Sequence, residues 1–247
     1  MSSASEAVAD ITDGASLAVG GFGLCGIPSV LIAAVAEAGV SRLHVVSNNC
    51  GVPGKGLGIL LDARRIAKIT ASYVGENDEF ERQYVQGEVE VELVPQGTIA
   101  ERLRAGGCGV PAFYTRAGVG TLVAEGGLPT RFNSDGTVAE SSAPKETRVF
   151  SGLEYVLVEA IVCDFALVRA HRADVHGNAV FHATARNLNP LCAMAGRVTI
   201  LEAEEIVEAG EIAPDDVQLP GIFVHRVVAV PFGTEKPIER LITRVGR

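Results

Sequence analysis

Tryptophan is absent from this 247-residue chain, and aromatic residues make up only 5% of it, against 28 glycines and 47% hydrophobic residues overall. Val, Ile, Leu and Ala must therefore fill the core, a composition suited to helices packed closely on a buried parallel sheet rather than to an all-β sandwich. Basic clusters are missing too. The net charge is −9 and no Lys/Arg stripe occurs, which excludes the footprint of a nucleic-acid binder. A small anion would have to be held by backbone N–H groups, side-chain amides or a few local cations. No Cys-x-x-Cys pair exists. The five cysteines, Cys25, Cys50, Cys108, Cys163 and Cys192, are odd in number and scattered, which fits buried thiols in a reducing cytoplasm rather than disulfides or zinc ligands.

A basic leader is also lacking. Residues 14–36 carry no charge, long enough by counting to match a membrane span of about 20 residues. Five glycines and Pro28 interrupt that stretch, acids (Glu6, Asp10, Asp13) precede it, and no Lys or Arg comes before Arg42. The expectation is a strand, a glycine turn and a helix, with neither a targeting segment nor a membrane anchor.

With no repeat, low-complexity tract or linker to divide it, the chain is expected to form one domain over 1–247. Its first half alternates strand and helix. Strands are predicted at Leu17–Val19, Leu43–Ser47, Lys68–Tyr73 and Glu90–Val94. Helices are predicted from Pro28 to Ala38, stopped by Gly39, around Leu57–Arg64, and from Asn77 to Gln86, stopped by Gly87. Thr98 and Glu101 stand at capping-box spacing and predict a helix start there, running to Arg104. Glycines then crowd residues 106–127, and Asn133-Ser134-Asp135-Gly136 reads as a turn between short strands, a small β insertion. Strand-like runs follow at Tyr155–Val158, Phe165–Arg169, Ala179–His182, Val198–Leu201 and Phe223–Val230. The fold class read from this order is α/β, an open, mostly parallel sheet flanked by helices, with a small antiparallel addition.

Gly21-Phe22-Gly23-Leu24-Cys25-Gly26 satisfies G-x-G-x-x-G between a strand and a helix, the pattern of a dinucleotide site. Such a site also needs an acid about 20 residues on to hold the ribose. Ser47-Asn48-Asn49 stands there instead, and the helix opens on Ile27-Pro28, beyond the third glycine. The longer run from Asp13-Gly14 through Leu17-Ala18-Val19-Gly20-Gly21-Phe22-Gly23 to Gly26-Ile27-Pro28 resembles the signature of family I CoA-transferase A subunits, closest to the succinyl-CoA:3-oxoacid type. Val46–Gly51, Ser72–Asn77, Pro95–Thr98 and Ala185–Asn189 resemble the same family in order.

That resemblance implies a two-subunit enzyme, a heterodimer or A2B2 tetramer, that moves CoA from succinyl-CoA to acetoacetate. No permanent cofactor is implied; coenzyme A is a substrate. A glutamate nucleophile would lie in a Ser-Glu-Asn-Gly motif of the B subunit. Here Ser47-Asn48-Asn49-Cys50-Gly51 puts Asn48 in that place, so no catalytic residue is expected on this chain. The resemblance makes Asn48 and Gln96 amide donors to the substrate carboxylate, with Asn49 supporting their loop, although amides at such positions also satisfy loops routinely. The pocket loop would be Gly21, Phe22, Gly23 and Gly26, its glycines turning N–H groups to a ligand and the following helix N-terminus adding positive partial charge. Specificity for 3-oxoadipate or for acetate and butyrate is the runner-up. A dinucleotide oxidoreductase and a one-chain sugar-phosphate isomerase are the readings from other classes.

Remaining clusters have plainer readings. Glu76 is a helix-start acid beside the cap Asn77 rather than a nucleophile. Phe113-Tyr114 reads either as a lid or as a buried anchor. His171, Asp174, His176 and His182 flank a hairpin turn without the spacing of a metal site, and His225 reads as a satisfied strand histidine. The acids Glu202, Glu204, Glu205 and Glu208 read as a solvated helix face or strand end.

Overall fold

The computed structural model describes residues 1–75 and 77–237. The first half lays down α1 (Ala4–Ala7), β1 (Ser16–Val19), α2 (Ser29–Ala38), β2 (Leu43–Val46), α3 (Gly58–Asp62), β3 (Ile66–Ala71), α4 (Asp78–Val85), β4 (Glu90–Leu93) and α5 (Gln96–Gly107). The punctuation read from the sequence works as expected. Gly39 stops α2 in the left-handed conformation at φ 75°, and Asn77 caps α4 by accepting from the Phe80 N–H at 3.1 Å.

The remainder contains β5 (Ala112–Thr115), α6 (Leu122–Glu125), β6 (Pro129–Phe132), β7 (Val138–Ser141), β8 (Thr147–Phe150), β9 (Leu153–Glu159), β10 (Cys163–Asp174), β11 (Ala179–Val180), α7 (Asn189–Ala195), β12 (Gly196–Val207) and β13 (Arg226–Ala229). The central sheet runs β13-β12-β10-β1-β2-β3-β4, each neighbour parallel, with β11 antiparallel on β10. Helices cover both faces, as a parallel sheet requires. Leu17, Val19, Leu43, Val45 and Ile69 face Leu31, Val35, Leu60 and Phe80 of α2, α3 and α4. Ala18, Val46, Ala166 and Val168 face Ile99 and Leu103 of α5 and Cys192 and Ala193 of α7. The antiparallel addition is a three-stranded sheet β5-β9-β8 and a hairpin β6-β7.

Three local expectations are corrected, and one helix goes unpredicted. The capping box does not form: Pro95 lacks an N–H and its carbonyl accepts from the amides of Thr98 (2.8 Å) and Ile99 (3.0 Å), so α5 starts two residues earlier. Thr98 then lies inside the helix with a buried, unbonded hydroxyl, and Glu101 pairs with Arg104. Phe113 and Tyr114 belong to β5, laddered to β9, so they are not a lid; Phe113 is partly buried and packs against Ala124, Val156 and Val158, closer to the anchor reading. The acidic run lies along β12, and Glu202 within it has no exposed surface at all. Residues 189–195 form α7, unforeseen because seven residues without a charge carry too little periodicity to separate helix from strand.

Along the chain, β1 to β4 step away from the centre in one direction, while β10, β12 and β13 step away in the other. The boundary between β1 and β10 is a topological switch point, where an open parallel sheet leaves a crevice beyond its carboxyl ends. The glycine loop sits there.

Candidate active site

From the end of β1, the chain enters a tight turn in which Phe22 and Cys25 exchange N–H···O bonds, both at 3.0 Å. Gly23 at its tip has φ +57° and open space around it. At the end of β2 the same device recurs between Val52 and Lys55. The two turns lie side by side: a side chain at Gly56 would come within 3.0 Å of Leu24 Cδ2. The loop is packed so closely that two glycines have no substitute. A Cβ on Gly20 would fall 2.0 Å from Asn189 Oδ1, and one on Gly26, at φ +69°, 2.5 Å from the Ala185 carbonyl.

Asn48, 4% exposed, projects from the end of β2 beneath this turn. Its Oδ1 accepts from the Gly23 N–H at 3.1 Å, and its Nδ2 donates to Gln96 Oε1 at 2.7 Å and to Ser72 Oγ at 3.3 Å. The Ser72 hydroxyl bonds Gln96 Oε1 and the Asn48 carbonyl. Three parallel strand ends thus bring together an amide from β2, a hydroxyl from β3 and the first residue of α5. All are neutral. The Gln96 Nε2 forms no hydrogen bond among the described residues, and Gln96 is only partly buried, so its donor is left without an internal partner.

The other expected site residues separate. Asn49 is buried with its Oδ1 accepting from the Gly51 N–H at 3.2 Å, which shapes the second turn. Asn77 braces that turn from below, donating to the carbonyls of Cys50 and Gly51 at 3.3 Å each. Gly21 lies against the Ile27 backbone and Gly26 against Ala185, and Phe22, 52% exposed, is not in the core. Cys50 is fully buried, and burial drives its thiol far above the usual range. Glu76 lies outside the described residues.

One expectation about this loop is overturned. The N-terminus of α2 does not offer its N–H groups to a ligand, because Glu202 has taken them. Its Oε2 accepts from Leu31 N–H at 2.9 Å, its Oε1 binds Arg169 Nη1 at 3.0 Å, and Arg169 also donates to Ser29 Oγ at 3.2 Å and Glu204 Oε1 at 3.1 Å. Burial pushes the Glu202 carboxyl up to about 7, against the pull of the Leu31 amide and Arg169. A cofactor pyrophosphate at this helix terminus would meet a resident carboxylate, so the dinucleotide reading loses its anion site as well as its ribose acid.

Ser72 is the member of the cluster that sequence reasoning missed as a site residue. The histidines of the second half have local partners: His171 Nδ1 contacts Glu204 Oε2 at 3.1 Å and stacks edge-on against His182. Thr199 N–H donates to His225 Nδ1 at 3.0 Å. Among the described residues no three His, Cys, Asp or Glu side chains are placed to hold a metal, and no helix is long and apolar enough to cross a membrane.

Comparison with known proteins agrees with this architecture. The family described as Coenzyme A transferase matches residues 1–230. The A subunit of a probable succinyl-CoA:3-ketoacid coenzyme A transferase of Mycobacterium bovis is 60% identical over 244 residues, covering 99% of this chain and 98% of its own. The human mitochondrial succinyl-CoA:3-ketoacid coenzyme A transferase 2 is 55% identical over 237 residues, covering 96% of this chain but only 46% of the human one. Among solved structures, an acyl-CoA transferase of Escherichia coli O157:H7 superposes with a TM-score of 0.79 at 24% identity, over 98% of this chain and 49% of that one. Glutaconate coenzyme A-transferase of Acidaminococcus fermentans superposes with a TM-score of 0.75 at 19% identity, over 94% and 75%. The chain therefore spans about half of the human and Escherichia coli proteins and nearly all of the mycobacterial one. With a family match across residues 1–230 and the parallel sheet that its solved relatives share, the chain belongs to the coenzyme A transferase family.

Proposed function

We propose that this chain is the A subunit of a 3-oxoacid CoA-transferase that moves CoA from succinyl-CoA to acetoacetate together with a B subunit. The names of its relatives support succinyl-CoA and a 3-ketoacid as the substrate classes, and acetoacetate is our choice within the second. The observation that carries the division of labour is the neutral Asn48–Ser72–Gln96 cluster: a site built to hold a carboxylate, with no carboxylate of its own in that network.

In the proposed reaction the thioester carbonyl of succinyl-CoA is attacked by a glutamate carboxylate of the partner chain. The C–S bond breaks, CoA thiolate leaves and a mixed anhydride forms. CoA thiolate then attacks the glutamyl carbonyl, expels succinate and leaves a glutamyl thioester. Acetoacetate repeats the steps in reverse, ending with acetoacetyl-CoA and a free glutamate. Covalent catalysis divides one hard transfer into easier exchanges of similar energy. This chain holds the incoming carboxylate through the Gln96 amide. A neutral donor suits a group that must bind as an anion and then lose that charge to an anhydride, whereas a bidentate arginine would favour the ground state.

The test is to assay the purified chain alone and mixed with the B subunit, following acetoacetyl-CoA formation from succinyl-CoA and acetoacetate. Activity should require both chains. Full turnover by this chain alone, or none by the mixture with these substrates, overturns the proposal.

A further inference from the structure

The segment of residues 183–189, between β11 and α7, wraps the outer side of the glycine loop and has no part in the chemistry proposed above. Asn189 within it is fully buried: its Nδ2 donates to the Gly26 carbonyl at 3.0 Å and the Ala185 carbonyl at 2.9 Å, and its Oδ1 accepts from Arg169 N–H at 3.0 Å. That residue is a structural rivet. Asn187 is different. It is only partly buried, and its Nδ2 reaches the Cys25 carbonyl at 3.0 Å and the Thr184 carbonyl at 3.0 Å. Its Oδ1 accepts from Leu188 N–H at 2.7 Å, which leaves the nitrogen as the end facing the loop.

The Cys25 carbonyl is the one that also receives the Phe22 N–H and closes the turn. A continuous orientation path follows. Asn187 fixes the Cys25 carbonyl, the turn aims the Gly23 N–H at Asn48 Oδ1, and this forces Asn48 Nδ2 toward Gln96 Oε1. With its Oε1 held by Asn48 and by the Ser72 hydroxyl, Gln96 then presents Nε2 to the crevice. Were the Asn48 amide to turn over, its oxygen would face Gln96, the Gln96 amide would turn in response, and an oxygen would meet the substrate carboxylate. An acceptor facing an anion repels it, so the sense of this chain of amides decides whether the site binds.

We propose that Asn187 is a positioning residue for carboxylate recognition: without touching substrate, it sets the direction of the Gly23–Asn48–Gln96 relay and so points the Gln96 donor outward. The inference rests on the reading of Gln96 as the carboxylate donor. The experiment is a double-mutant cycle in the two-subunit enzyme with Asn187→Ala, Gln96→Ala and the pair, measuring KM for acetoacetate, KM for succinyl-CoA and kcat, with melting curves for each variant. Asn187→Asp, which has the same shape but no donor, replaces Asn187→Ala if that variant does not fold. Asn187→Ala is expected to raise KM for acetoacetate about tenfold, the worth of one hydrogen bond to a charged group, with kcat and KM for succinyl-CoA changed less than about threefold. In the Gln96→Ala background the same substitution should add nothing, because it acts through the missing amide. Gln96→Ala leaving KM for acetoacetate unchanged would overturn the carboxylate reading and the relay with it. Gln96→Ala raising KM while Asn187→Ala has no effect, or multiplies onto it, would overturn the positioning role alone.

Discussion

Asn48 and Gln96 carry the same functional group and differ in what is left over once their internal bonds are made. Both ends of the Asn48 amide are occupied inside the protein, whereas among the described residues Gln96 engages only its oxygen. Replacing Asn48 with Ala would strip the Gly23 N–H and the Gln96 oxygen of a partner, so a stability loss of about 1–3 kcal/mol is expected beside the loss of binding. Gln96→Ala takes one acceptor from the Asn48 Nδ2 but leaves it Ser72 Oγ, so it should cost less, below about 1 kcal/mol, and act mainly on KM for the carboxylate substrate. Thermal melts alongside kinetics separate the two, and equal destabilisation would mean that Gln96 is as structural as Asn48. Both positions are legible in the sequence, because a strand-end amide and a residue before a glycine sit in motifs with a recognisable order. Ser72 is not, since nothing in Ala71-Ser72-Tyr73 distinguishes a bridging hydroxyl from a solvated one until β3 is known to lie against β2.

The start of α2 carries a similar lesson for an element. Pro28 and Gly39 mark its ends in the sequence, but what caps it comes from β12, far along the chain. Glu202 sits in a run of acids that reads as solvated, and only the parallel register with β10, which pairs Glu202 with Arg169, turns one of them inward beneath the helix. This buried carboxyl has a pH signature. Its folded pKa, about 7, exceeds the ordinary carboxylate value, so the folded state binds the proton more tightly than the unfolded chain. The stability this contributes is complete below about pH 4.5 and is lost as pH rises through about 7, an effect of about 3 kcal/mol. Glu202→Gln keeps an acceptor for Leu31 and removes the titration. Relative to wild type, the variant should therefore gain stability between pH 5 and pH 8, as measured by urea unfolding across that range. A wild-type-minus-variant difference that is flat with pH, or slopes the other way, would show that the Glu202 carboxyl does not titrate near 7 in the folded protein.

For the molecule as a whole, the open, mostly parallel sheet with a small antiparallel addition is legible in the sequence, whereas the place of each second-half strand in it is not. Short-range signals such as the turn at Asn133–Gly136 announce the hairpin β6-β7, but they do not say that the long strands β10 and β12 and the short β13 are parallel members of the central sheet, because the pairing of β1 with β10 joins residues well over a hundred positions apart. The hairpin strand β6 packs against β4 and α4, with Tyr84 edge-on to Phe132, and between the β4 edge and the addition lies a cleft of about 650 Å³ lined by Lys68, Glu92, Arg102 and Lys145 among others. Arg102 spans the attachment: from α5 its Nη1 binds Glu92 Oε1 of β4 at 2.7 Å and its Nε donates to the Glu159 carbonyl at the end of β9 at 2.7 Å. Burial would raise the Glu92 carboxyl, yet Arg102, with Thr70 and Lys68, holds it below its ordinary value, a sign that the ion pair prevails over desolvation at this half-buried seam. Arg102→Ala leaves Glu92 without that partner and should cost about 2 kcal/mol, between the values for exposed and buried pairs. In a chain of this size that corresponds to a fall in Tm of roughly 4–8 °C. The loss should be local. Amide hydrogen exchange should quicken in residues 147–159 while β1 and β2 keep their protection, since the addition opens before the central sheet does. Faster exchange spread evenly over the central sheet would instead make β5-β9-β8 an inseparable part of the main folding unit.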